Sequence, residues 1–324
     1  MVKMRNSLAS APGKCILFGE HAVVYGYPAL AIAIDIFSYC KISERKQNGI
    51  VLILKNYDYS FNFSNINDIC IQIPPKFSQI AVGLELFSKK YNILINKVEI
   101  IINSDLWPES GLGSSASSSI ALLGALNEFY SLNLKKKDIS SLAFEMEKNV
   151  HGNPSGIDNT TCSQGGLIFY KDHEFQRFNF LKQFKILISY TGITHNTKEA
   201  VRNVKEFCNK EPKLSTELFT KIRTITEKGL KDLKQGNIIE IGNLMNLNHQ
   251  ILSEIGLSTP DIEKITQISR SNNAYGSKVT GAGKGGCVIS IGKLSDLQII
   301  KEKLKKAGYP SIITSINNQG VSIG

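Results

Sequence analysis

Along the first 110 residues, apolar positions alternate with polar ones or gather in short β-branched and aromatic runs. PALAIAIDIFSYCKISE (28–44) and GIVLILKNYDYSFNF (49–63) predict strands, and the Asn48-Gly49 turn signal opens the second. Phe77, Ile80, Ala81, Leu84, Phe87 and Tyr91 recur at helical spacing, so 77–91 predicts a helix with one apolar face. NKVEIIINSDL (96–106) predicts another strand. A Gly/Ser stretch then leads into an apolar helix over about 114–131. A further helix over about 138–150 runs into the turn HGNPSGID (151–158), and GGLIFYK (165–171) returns to strand.

Beyond residue 180 the texture changes. KILISYT (185–191) reads as a strand, and helical patterns fill 196–272. AYGSKVT, GCVISIG, a Lys-rich helix near 295–307 and SIITSI close the chain as strand, strand, helix, strand. The polar segment DHEFQRFNFLKQ (172–183) marks a boundary, dividing the chain into residues 1–177 and 178–324. Both halves read as α+β layers, with strands paired among themselves and helices over one face.

Composition narrows the partners. The 324 residues are 42% hydrophobic and 20% charged, an ordinary globular balance, and the net charge of +10 favours an anionic ligand. Nucleic acid is disfavoured, because only 6 of the 38 basic residues are Arg and no aromatic-interleaved basic stretch occurs. The runs Lys135-Lys136-Lys137 and KEKLKK (301–306) read as solvated helix faces or turns. Six scattered cysteines without a C-x-x-C pair read as free thiols in a reducing cytoplasm. The N-terminus lacks the apolar core of a secretion signal, and Asp35 ends the most apolar segment, so no membrane partner is expected. No pattern fixes the oligomeric state, and a homodimer stays open.

Three stretches carry chemistry. In GLGSSASSSIALLGAL (111–126) two glycines free the backbone to approach a ligand, and Ser114 and Ser115 stand at a helix start that favours an anion. A dinucleotide turn is disfavoured, since the chain continues through helix into YSLNLKKK with no strand ending in an acid. A Walker loop is absent. SKVTGAGKGGCVISIG (277–292) places Gly281, Gly283, Gly285 and Gly286 between two strands, with Lys284 inside the turn. SAPGKCILFGEHAVVYGYPA (10–29) has a Pro12-Gly13 turn, then Lys14, then Gly19-Glu20-His21.

In this order the three stretches resemble the GHMP small-molecule kinases, and A-P-G-K followed by G-E-H-A-V-V-Y-G resembles the mevalonate kinase form of that family. Galactokinases normally carry Arg at the position of Lys14, and phosphomevalonate kinases normally lack the Glu-His pair. HGNPSGIDN is also of the mevalonate kinase type, so matching stretches run from residue 10 to 292. The resemblance implies a two-domain α+β GHMP kinase fold, with an N-terminal domain of the ribosomal protein S5-like domain 2 type. Its C-terminal ferredoxin-like α/β domain would close the active-site cleft. It implies transfer of the ATP γ-phosphate to the 5-hydroxyl of mevalonate, with another GHMP acceptor or the 3-hydroxyl as the alternative.

The resemblance also implies residue roles. Asp158 would orient the hydroxyl and accept its proton, with Lys14 opposite to keep that acid ionised. Gly111, Leu112, Gly113, Ser114, Ser115 and Ala116 would wrap the nucleotide phosphates, with Gly281 and Gly283 closing over them. Ser115 and Glu147 would hold Mg²⁺. Glu145 and Glu147 differ by about 200° around a helix, so only one faces a given site. Glu20, His21, Asp158 and Thr197 would meet mevalonate. His195, where some relatives have Arg, and Lys284, where many have Gly, depart from the family pattern.

Overall fold

Residues 6–18 and 29–44 form the two longest strands, and everything in the first half is built on that antiparallel pair. The computed structural model describes residues 4–151, 154–178, 184–194 and 197–324. Strand β1 (Asn6–Phe18) pairs with β2 (Ala29–Glu44) throughout. After β3 (Ile50–Leu54) and β4 (Tyr59–Phe63), helices α1 (Ile66–Gln72) and α2 (Ser78–Tyr91) carry the chain back to β5 (Val98–Ser104). Helices α3 (Ser114–Phe129), α4 (Lys136–His151) and α5 (Ile157–Gln164) follow, then the hairpin β6 (Leu167–Lys171) and β7 (Glu174–Phe178).

The second half opens with β8 (Ile186–Tyr190) and four helices, α6 (Thr197–Lys210), α7 (Pro212–Gln235), α8 (Ile238–Glu254) and α9 (Pro260–Arg270). Strands β9 (Gly276–Thr280) and β10 (Cys287–Ile291), helix α10 (Leu294–Lys306) and strands β11 (Ser311–Thr314) and β12 (Ser322–Ile323) complete it. The first sheet runs β12-β1-β2-β5-β3-β4, with β6 and β7 attached to β2; the second runs β11-β8-β10-β9. The last strand therefore returns to the edge of the first sheet.

Periodicity explains the layers. On β5 the alternating Val98, Ile100 and Ile102 are buried, and with Leu84 and Phe87 of α2 and Leu122 and Leu126 of α3 they form one core. Burying side chains of this size stabilises each by about 1.5–3 kcal/mol. A second core is continuous across the halves, joining Leu17, Phe18 and Ile32 to Leu187, Ile222, Leu244 and Val279. Among the described residues no helix is long and apolar enough to cross a membrane.

One sequence expectation is corrected and two segments gain detail. Pro12-Gly13 is not a turn: β1 passes straight through it, and the register with β2 shifts there as in a bulge, which suits a residue with no N–H. The polar segment 172–183 contains strand β7 at 174–178. Asp158 follows the bend at Gly156 and sits in the first turn of α5, which that glycine opens. That helix was hidden because Asn159, Thr160, Thr161 and Ser163 are polar yet buried. Thr160 and Thr161 hydroxyls donate back to the Gly156 and Ile157 carbonyls, satisfying themselves inside the core.

Candidate active site

Strand β1 carries Lys14 into the interior beside the loop that precedes α3. The Lys14 N–H donates to the Leu112 carbonyl at 2.8 Å, and the buried Leu112 side chain anchors that loop. The Lys14 ammonium donates to the Gly111 carbonyl at 2.9 Å and lies 3.0 Å from Oδ1 of Asp158. Gly113 has φ 72°, and a Cβ there would stand 2.9 Å from Lys14 Cγ, so only glycine lets the loop cross the lysine stem. The lysine side chain is 3% exposed and that of Asp158 is 29% exposed, so one side of the pair faces outward. Burial pulls the Lys14 pKa down, but the charge and hydrogen bond of Asp158 outweigh it and leave it above its ordinary value.

A second carboxylate joins them. Glu147, near the end of α4, has its Oε2 buried with no hydrogen-bond partner among the described residues. Burial first, then the charge of Asp158, pushes its pKa up to about 8, while Lys14 opposes the rise. Glu145 points to solvent, as the helical offset requires. Two acids sharing one lysine leave a local shortage of positive charge, and an orphaned carboxylate oxygen suits a hard cation. Ser115 opens α3 from an exposed position, with its hydroxyl donating to Oε1 of Gln79. Among the described residues no three His, Cys, Asp or Glu side chains cluster as a metal site. One or two carboxylates suffice for a magnesium ion that also binds phosphate oxygens.

The Gly-Glu-His stretch meets the second glycine loop at three points. The Ile16 backbone exchanges hydrogen bonds with the Thr280 hydroxyl, both at 3.0 Å. Glu20 is fully enclosed in an ion pair with Lys278, itself wholly buried. Burial moves both toward their neutral forms, raising Glu20 and lowering Lys278, against their mutual attraction. Nε2 of His21 lies 2.8 Å from the Ala282 carbonyl. A carbonyl only accepts, so that nitrogen carries the proton. Gly281, with φ 81°, lies against the first glycine loop: a Cβ there would stand 2.9 Å from Gly111 Cα. Gly283 is pressed on the Leu257 carbonyl, and Lys284 is exposed with its backbone N–H on the same carbonyl.

Lys14, Asp158, Glu147 and the 111–116 loop thus converge, and the 281–283 loop touches that same loop. Glu20 is turned inward and is away from open space. Asn153, His195 and the side chain of Thr197 lie outside the described residues. Sequence reading missed Lys278 and Gln79. A lysine inside the uniformly buried strand β9 and a glutamine on the apolar face of α2 were the available signals.

Comparison with known proteins identifies the family and the fold. Residues 79–166 match the GHMP kinases N terminal domain and residues 230–310 the GHMP kinases C terminal domain. A mevalonate kinase of Thermococcus sibiricus is 31% identical over 331 residues, covering 98% of each chain. The crystal structure of the Methanococcus jannaschii mevalonate kinase superposes with a TM-score of 0.86 at 31% identity, covering 95% of this chain and 98% of that one. The L. major mevalonate kinase in complex with R-mevalonate gives 0.82 at 28% identity, covering 95% of each. The chain belongs to the GHMP kinase family, among its mevalonate kinases.

Proposed function

We propose that the chain transfers the γ-phosphate of ATP to the 5-hydroxyl of mevalonate, giving 5-phosphomevalonate and ADP. One observation carries this reading: Lys14 bridges Asp158 to the Gly111 carbonyl, so an acid and a cation meet at the mouth of an anion-binding loop. Asp158 accepts the proton of the 5-hydroxyl as its oxygen bonds to the γ-phosphorus. The bond to the β–γ bridging oxygen breaks and ADP leaves. The transition state is loose, so positioning and charge neutralisation supply most of the rate.

Lys14 pairs with Asp158 and faces the charge that develops on the phosphoryl oxygens. Backbone groups of 111–116 hold the phosphates at the start of α3, with Gly281 and Gly283 packing from the other side. Ser115 and Glu147 would hold Mg²⁺, which when bound neutralises phosphate charge. His21 and Thr197 meet the substrate side, and Glu20, with Lys278 behind it, fixes the position of His21. Residues 1–177 supply the lysine, the acids and the first loop, and residues 178–324 the second loop. The test is ADP release across an acceptor panel. Release that needs both mevalonate and magnesium supports the reading, whereas release with galactose, homoserine or phosphomevalonate alone reassigns the acceptor.

A further inference from the structure

The Lys135-Lys136-Lys137 run reads from sequence as a solvated turn, but the fold gives its middle member a second cation for company. Lys136 is the first residue of α4, and its ammonium donates to the Gln319 carbonyl. Arg177, on β7, donates Nη2 to the Asn318 carbonyl at 2.6 Å and Nε to the Gly165 carbonyl at 3.2 Å. Both cations therefore lean on the same short segment ahead of β12. Burial and then the charge of Arg177 lower the Lys136 pKa, as expected of a cation that has another cation in its surroundings. Among the described residues neither forms an ion pair with a carboxylate. They line a cleft of about 510 Å³ with Gln164, Asn318, Gln319 and Val321. The start of α4 adds its own positive potential.

Like charges gathered without acids around a cavity are stabilised by an anion, and a forked guanidinium beside an ammonium matches phosphate oxygens. We propose that this cleft is a binding site for a small phosphate-class polyanion, a diphosphate being favoured over a single phosphate because two cations line it, held on adjacent carbonyls. It lies apart from Lys14 and Asp158, at the opposite ends of the two helices that carry Glu147 and Asp158: Lys136 begins α4 and Gln164 ends α5. It does not depend on the kinase reading.

Titration calorimetry of the full chain with pyrophosphate tests the site, with magnesium omitted and saturating ADP present to occupy the nucleotide loop. The expected result is saturable binding in the parent that weakens at least about tenfold in Lys136→Gln and in Arg177→Gln. Lys137→Gln should bind as the parent does, and inorganic phosphate should bind more weakly than pyrophosphate. Lys136→Gln removes one carbonyl contact only, so it carries the test should Arg177→Gln unfold; thermal midpoints establish which variants are folded. Binding unaffected by Lys136→Gln, or no saturable binding in the parent, would overturn the proposal.

Discussion

Nζ of Lys14 lies 3.0 Å from Oδ1 of Asp158, joining the middle of the first strand to the first turn of a helix from mid-chain. The contact is enclosed on the lysine side and open on the acid side, so the carboxylate is paired yet accessible. Asp158→Asn should lower kcat by about 10²–10⁴-fold while ATP still binds, the range lost with a general base. Lys14→Met should lower kcat as well. Rapid-quench rates with separate nucleotide binding measurements decide this, and an Asp158→Asn enzyme near parental activity would remove the role given to that acid.

Glu147 has a pH signature. Its folded pKa of about 8 exceeds the unfolded value near 4.3. Between those limits the folded state holds the extra proton, so stability falls as pH rises through the window when no metal is present. The parent should therefore lose thermal stability relative to Glu147→Gln from about pH 4 to pH 8. With ADP present, added magnesium should restore stability to the parent above pH 8 and do much less for the variant. Parallel unfolding curves for the two proteins would contradict the buried, unpartnered oxygen.

Glu20 and Lys278 bind the halves through a charge pair with no solvent access. Lys278→Met should cost about 3–5 kcal/mol by leaving an uncompensated acid, and the double substitution with Glu20→Gln should cost less. Chemical denaturation of the two single variants and the double variant measures this. Additive losses would mean the two groups do not act as a pair.

Much of this fold was legible because its elements obey simple periods. The helices α2 and α3 and strands β2, β5 and β10 follow from apolar spacing alone. Helix α5 was not legible, since IDNTTCSQ has no apolar stripe and its polar residues are satisfied inside the core. Pro12-Gly13 carried a turn signal that the long β1–β2 pairing overrode. The stretches bearing Lys14, Glu147 and Asp158 stood out by their glycines, acids and order. Lys278 did not, because its partner Glu20 lies in a remote part of the chain and only folding brings them together.

Gly281 offers a test of the two-loop contact. Its left-handed backbone and its approach to Gly111 leave no room for a methyl group. Gly281→Ala should weaken ATP binding by about tenfold or more, with little change in mevalonate KM. Unchanged nucleotide affinity would mean that the second loop does not shape the phosphate site.

In the proposed reaction a phosphoryl group passes from ATP to the 5-oxygen of mevalonate beside the Lys14–Asp158 pair. Phosphorus NMR of a reaction holding the full chain, ATP, magnesium and mevalonate reads that transfer directly. One new phosphomonoester, coupled to the protons at C5, should grow in step with ADP. An inert mixture, or a phosphate ester on the 3-oxygen, would contradict it.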